Sequence, residues 1–276
     1  MKEHISSVLR QIEQEFNVKI LHACEAGSRA LGFHSQKSDY DIRFIYLHNL
    51  EWYLSIDQGR DVIEIPRHDT ISIHVDPLLD VSGWELRKAL RLFRKSNPSL
   101  LEWLHSSIVY KDDFGIAEKM RALEKEVFSV KPYFYHHLNL AKSNFKNQSK
   151  SDDADLKPYL YMVRSVLAAK WAAAHRNIPP VNLNDLLRSL PDSPVKTEAM
   201  NILAIKKSGN SISQVKNSIL HEYIKSELVQ MESYGKHLSE NTSDHTESLN
   251  SLFQLALEHV WDPEILVNQN KEPDCT

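Results

Sequence analysis

Asp39 and Asp41 stand one residue apart at the head of a run, Asp41-Ile42-Arg43-Phe44-Ile45-Tyr46, whose β-branched and aromatic content predicts a strand. Alternate residues of a strand share a face, so the two carboxylates project together while Ile42, Phe44 and Tyr46 project from the opposite, buried face. Two anions that close repel unless a cation lies between them. Mg2+ suits that role, as a hard cation held by one or two carboxylates plus substrate phosphates, with Mn2+ the alternative. Just upstream, Ala26-Gly27-Ser28-Arg29 supplies the complementary half of such a site. Gly27 lacks a Cβ, so backbone can approach a phosphate closely. Successive N–H groups in a turn form an anion-binding nest. Ser28 adds a hydroxyl donor, and Arg29 a fork of donors matched to phosphate oxygens.

The flanking pattern predicts the elements that hold these residues. Ile5, Val8, Leu9, Ile12 and Phe16 recur at helical spacing over residues 4–16. Lys19 to Ala26 reads as a short strand that delivers Gly27 to its end, and residues 28–33 as a short helix or turn. Residues 61–66 form a further strand ended by Pro66, and Ile71 to Val75 an edge strand. Leu78 to Trp84 leads into a helix, Glu85 to Lys95, and Asn97-Pro98 marks a break before the next helix. Trp84, Trp103 and Tyr110 fall in helix-rich surroundings and read as core. A helix covers residues 113–128, and from Tyr133 onward the chain is helical almost throughout, including a helix over 212–238 that buries Ile219, Ile224 and Leu228 and a closing helix over 247–260.

Asp-x-Asp alone is an ordinary solvated turn. Preceded by Gly-Ser with ten intervening residues, it resembles the signature of the DNA polymerase β superfamily of nucleotidyltransferases. Gly27-Ser28-Arg29, Gly32 and Ser38-Asp39-Tyr40-Asp41-Ile42-Arg43 together are similar to its RNA-repair-pathway branch, as are Leu79-Asp80 with Gly83-Trp84 and the Lys95-to-Leu104 stretch. The resemblance implies an α+β fold: a small mixed sheet flanked by helices, followed by an all-helical C-terminal region. Residues 1–120 would then be the catalytic domain and 121–276 a helical domain contributing to nucleotide and acceptor binding. It also implies a third carboxylate on a neighbouring strand. Asp80 is the choice, ahead of Asp61, Glu64, Asp69 and Asp76, to join the metal and accept the acceptor's proton.

A second constellation is Lys157, Tyr161 and Arg164, at i, i+4 and i+7 on one helix face. Such a face is either a solvated stripe or a grip for a triphosphate, and the surrounding Lys-x-Tyr-x-Tyr-x-x-Arg resembles the family's helical half. Adjacent His136 and His137 point to different sides of a helix and make no metal pair. Beyond residue 182 the pattern is core, without chemistry.

Composition narrows the class. At 276 residues, 42% hydrophobic and 25% charged, the chain has the make-up of an ordinary globular protein of one or two domains. No apolar run approaches the roughly 18 residues of a membrane span. Met1-Lys2-Glu3-His4-Ile5 lacks an apolar signal core, and Cys24 and Cys275 make neither a disulfide framework nor a zinc site; a reducing, cytoplasmic setting is expected. A net charge of −4 excludes a generally basic nucleic-acid coat but not a local basic groove. The activity implied is transfer of a nucleoside monophosphate from a nucleoside triphosphate to an acceptor hydroxyl, an RNA end first and a protein hydroxyl second. A non-catalytic nucleotide sensor or toxin partner is the reading from another class.

Overall fold

Two hydrophobic periods, two residues in the first half and three to four in the second, divide the chain between sheet and helix. The computed structural model describes residues 1–150, 156–209, 219–239, 241 and 243–261. Five strands, β1 (Val18–Glu25), β2 (Tyr40–His48), β3 (Val62–Ile65), β4 (Leu79–Glu85) and β5 (Val109–Asp112), lie in the order β3-β4-β2-β1-β5. Only β2 and β4 pair in parallel. Parallel neighbours need a crossover, and residues 49–78 supply it, carrying α3 (Leu50–Tyr53) and β3.

Each sheet face has its own core. Helix α1 (Lys2–Glu15) buries Ile5, Val8, Leu9 and Ile12 against Ile20, Ile42, Phe44, Tyr46 and Val81. On the other face Leu21, Cys24, Ile45 and Leu47 meet α4 (Leu86–Arg94) and α5 (Pro98–Leu104). That second cluster runs without interruption into α6 (Ile116–Val127), α7 (Val130–Lys150), α8 (Leu156–His175), α9 (Leu183–Arg188), α10 (Pro194–Lys207), α11 (Ile219–Gly235) and α12 (Thr246–Trp261). The chain is therefore α+β, a mixed sheet followed by helices. No helix among the described residues is long and apolar enough to cross a membrane.

Three expectations are corrected. Ile71 to Val75 is not a strand: the Ser72 N–H donates to the Glu15 carboxylate at 2.9 Å, while Ile71, Ile73 and Val75 still pack against the α1 core. An apolar-polar alternation satisfied by a helix surface imitates a sheet edge. Conversely, Tyr110 sits on a strand, β5, whose four half-buried or exposed residues show no alternation to betray it. Ile219 is exposed, because the docking face of α11 is carried by Leu220, Ile224 and Leu228 and Ile219 lies off it, whereas Ile224 and Leu228 are buried as expected. Residues 212–218 of that expected helix, and Cys275, lie outside the described residues.

Candidate active site

The parallel register decides the site. Asp41 on β2 stands directly opposite Asp80 on β4, and residues paired in register across neighbouring strands point to the same face. Between the carboxylates sits a guanidinium. Arg43, two residues along the same face of β2, donates from Nη2 to Asp41 Oδ1 at 3.1 Å and to Asp80 Oδ2 at 2.9 Å. Its Nη1 donates to the Asp80 and Ile42 carbonyls at 2.9 and 3.0 Å, so the side chain is locked by four acceptors. Burial raises the Asp41 carboxyl pKa; Arg43 opposes that, Asp39 and Asp80 add to it, and Lys157 opposes it again. The five charges therefore share one field.

Behind Asp41 lies Glu25, the last residue of β1 and fully buried. One of its oxygens accepts the Asp41 backbone N–H at 2.8 Å and the other the Tyr110 hydroxyl at 2.5 Å. Burial raises its pKa too, against the pull of those two bonds. Glu25 thus fixes the strand end from which Asp41 projects. The next turn brings Gly27, at φ +53°, under the same carboxylate: a Cβ built there would lie 1.8 Å from Asp41 Oδ2. Glycine is required on both counts. It opens α2 (Gly27–Ala30), on which the Ser28 side chain is 3% exposed with a hydroxyl that has no hydrogen-bond partner.

Arg29 takes another role from the one expected. Its Nε and Nη2 donate to the Asp39 and Ser38 carbonyls at 2.9 and 2.7 Å, and its guanidinium lies 3.6 Å from the Tyr40 ring centroid. It clamps the turn carrying Asp39 instead of aiming its fork at a ligand. Asp39 itself is exposed and lines a cavity of about 810 Å³ together with Ser28 and Lys157.

Helix α8 reaches this region by one face. Lys157 is at the cavity; Tyr161, edge-on to Phe33 at 5.1 Å, has its hydroxyl pushed up to about 12 by burial and then by Asp41 and Glu102. Arg164 corrects the third expectation on that face. Buried, it pairs with Glu102 Oε1 at 2.7 Å and donates to the Val181 carbonyl at 3.1 Å, and it does not line the cavity. Its Nη2 is buried without a partner, and the guanidinium as a whole is held inside the fold and away from the cavity. Removing it would strand Glu102, whose side chain is 24% accessible, so the cost falls below the roughly 3–5 kcal/mol of breaking a fully buried pair. Arg164→Ala should therefore lower the thermal midpoint, while Arg164→Lys, which keeps the charge, recovers part of the loss. Nucleotide affinity measured on the folded fraction should not move.

Among the described residues no three His, Cys, Asp or Glu side chains close on one point. A magnesium ion does not ask for that: one or two carboxylates suffice when water and substrate phosphate complete the octahedron. Arg43 engages one oxygen of each acid and leaves Asp41 Oδ2 and Asp80 Oδ1 as donors, so the residues fit such an ion. Arg43 and Glu25 are the members the sequence reading missed. Arg43 was findable, being i+2 from Asp41 on a strand; Glu25 shows only as an acid closing an apolar strand.

Comparison with known proteins identifies the family. A family model described as "RlaP: RNA repair pathway DNA polymerase beta family" matches residues 1–255. The chain is also 43% identical over 263 residues, 95% of its length and 98% of the relative's, to a protein of Bacillus subtilis (strain 168) named only as the uncharacterized protein YcgL.

Proposed function

The chain belongs to the RNA repair pathway DNA polymerase beta family, and from that membership we propose a metal-dependent nucleotidyltransferase that moves a nucleoside monophosphate from a nucleoside triphosphate to an RNA end, working in the cytoplasm. The observation that carries it is the in-register pair Asp41 and Asp80, bridged by Arg43, beside the Gly27-Ser28 turn. In the step, an acceptor hydroxyl oxygen forms a bond to the α-phosphorus. The bond from that phosphorus to the bridging oxygen of the β-phosphate breaks, and its electron pair departs with pyrophosphate. The hydroxyl proton passes to Asp80, whose half-exposed carboxylate (side chain 55% accessible) stands where an acceptor can approach.

Asp41 and Asp80, with Asp39 alongside, would hold Mg2+ or Mn2+, which supplies neutralisation of phosphate charge and activation of the hydroxyl when bound. Arg43 keeps the two acids together against their repulsion. Glu25 and Gly27 fix the backbone and the rotamer of Asp41. Positioning and charge stabilisation carry the rate in such chemistry, since the protein makes no covalent bond itself.

The test is incubation with α-labelled nucleoside triphosphates and separate RNA and protein pools. Label entering RNA supports the proposal. Label entering protein replaces the acceptor by a Ser, Thr or Tyr hydroxyl, since the metal chemistry is the same. Magnesium-dependent nucleotide binding with no labelled product in either pool would make the chain a sensor.

A further inference from the structure

Helix α4 carries four cations and no acid in its nine residues. Lys88 is paired with Asp61 at 2.9 Å. The other three, Arg87, Arg91 and Arg94, fall at i, i+4 and i+7 and so share one face over a span of about 10 Å. That face lines a groove of about 340 Å³ between α4 and α12, with Leu90, Leu249 and Phe253 as its apolar wall. Among the described residues no acidic side chain lines it. Arg91 has no hydrogen bond, ion pair or ring contact among them, and Arg94 has one bond, from Nη1 to the Thr246 hydroxyl at 2.7 Å. Asp244, just ahead of α12, has its pKa lowered first by its hydrogen bonds with Thr246 and only then by Arg94, so it serves the start of that helix.

Cations in the last turn of a helix offset its dipole, and Arg91 and Arg94 lie there. Arg87 does not. It stands in the first turn, at the positive end, where a cation is disfavoured. It is held by the capping Glu85, 3.8 Å from its Nε, and by aromatic rings. Its guanidinium lies 4.5 Å from the Tyr53 ring centroid and 5.3 Å from that of Trp52, and Tyr53 meets Phe253 edge-on at 5.1 Å. Trp52, Tyr53 and Phe253 are each half-buried. A row of forked donors beside accessible rings suits a single-stranded nucleic acid, because guanidiniums take phosphate oxygens and rings take the face of any base. An acidic peptide would use the charges and leave the rings idle. Position agrees. Asp41, Arg43, Ile45 and Leu47 share one face of β2 by alternation, and Ile45 and Leu47 pack in one cluster with Leu86, Ala89 and Phe93 of α4. The groove therefore flanks the sheet face that carries the acids.

We propose that the α4–α12 groove binds single-stranded RNA: Arg87, Arg91 and Arg94 take phosphates of the acceptor strand upstream of the end presented to Asp80, and a base lies against the Phe253 side. The assignment rests on RNA being the acceptor, and it gives this surface a strand-holding role apart from the metal-binding acids.

Fluorescence anisotropy of a labelled oligouridine of about twelve nucleotides, titrated at several salt concentrations, tests it. The full-length protein is compared with Arg91→Gln, with the double variant Arg91→Gln, Arg94→Gln, and with Phe253→Leu, which keeps apolar bulk and loses the ring. Both arginines are exposed, so an unchanged thermal midpoint confirms the fold. Each arginine removed should weaken binding about tenfold and lower the slope of log affinity against log salt by about 0.7. Phe253→Leu should weaken binding with the slope unmoved. Unchanged affinity and slope in the double variant overturn the assignment, as does failure of the unaltered protein to bind the oligonucleotide. A polyglutamate peptide of equal charge that displaces the RNA on equal terms also overturns it, in favour of an acidic protein partner. In labelled transfer the double variant should raise KM for RNA and leave kcat and the KM for the triphosphate as they were. The two readings fail separately. Unchanged KM for RNA in a double variant that still labels RNA removes the groove and leaves the transferase standing. RNA binding that falls with the arginines, in a protein that labels no RNA, keeps the groove and removes the transferase.

Discussion

Asp41→Asn is expected to lower kcat/KM for nucleotidyl transfer by about 10³-fold or more, some 4 kcal/mol of transition-state stabilisation, while raising the thermal midpoint at neutral pH. The two effects share one cause. Asp41 is largely buried, with a side chain 20% accessible, and burial raises its pKa in the folded state despite Arg43. A carboxyl whose folded pKa lies above its unfolded value contributes fully to stability below the unfolded pKa. That contribution is lost as pH rises through the folded pKa. At neutral pH the wild-type protein therefore carries an ionised Asp41 at a cost that asparagine removes. The amide keeps the shape and can still accept from Arg43, so packing is retained. Paired assays of labelled transfer and thermal melting, run from acid to neutral pH, check both halves. A variant that loses activity together with stability would place Asp41 in the scaffold and not in the chemistry. The melting difference should shrink toward acid pH, where Asp41 is protonated in both states.

Gly27→Ala should be nearly as damaging to transfer, and unlike Asp41→Asn it should also destabilise the fold. At φ +53° a side chain costs about 1–2 kcal/mol. The added methyl would overlap Asp41 Oδ2, 1.8 Å away, so the carboxylate must leave the rotamer that sets it opposite Asp80. A displacement of about 1 Å in a positioned group can cost some 10²-fold in rate. Asp41 would be misplaced without losing its charge. Excess metal should therefore recover part of the activity of Gly27→Ala and none in Asp41→Asn. Equal metal dependence in the two variants would contradict that account.

How much of this was legible in the sequence depended on distance along the chain. Gly27, Ser28, Asp39 and Asp41 lie within one short stretch, and strand alternation alone puts the two acids on one face. Asp80 was reachable only through the family resemblance, because parallel register is fixed by a crossover whose length carries no local signal. Arg29 and Arg164 were read by residue type as phosphate ligands. Carbonyls of the Ser38–Asp39 turn and the half-buried Glu102 claimed them, partners that no spacing rule names. The edge expected over Ile71 to Val75 failed for a like reason: its apolar positions found a helix before they found a strand.

The helix α12 returns to the first half of the chain. Leu249, Leu252, Ala256 and Val260 of α12 are buried, the helix packs on α4 and α6, and the Trp261 indole donates to the His48 carbonyl at the end of β2 at 2.9 Å. During synthesis the catalytic strands leave the ribosome before α12, so the flank of α4 that α12 covers stays bare until that helix has emerged. A nascent chain stopped short of α12 presents sticky surface, which is the mark that chaperones and proteases recognise. Quality control of this protein thus waits on α12, however early its acids are in place.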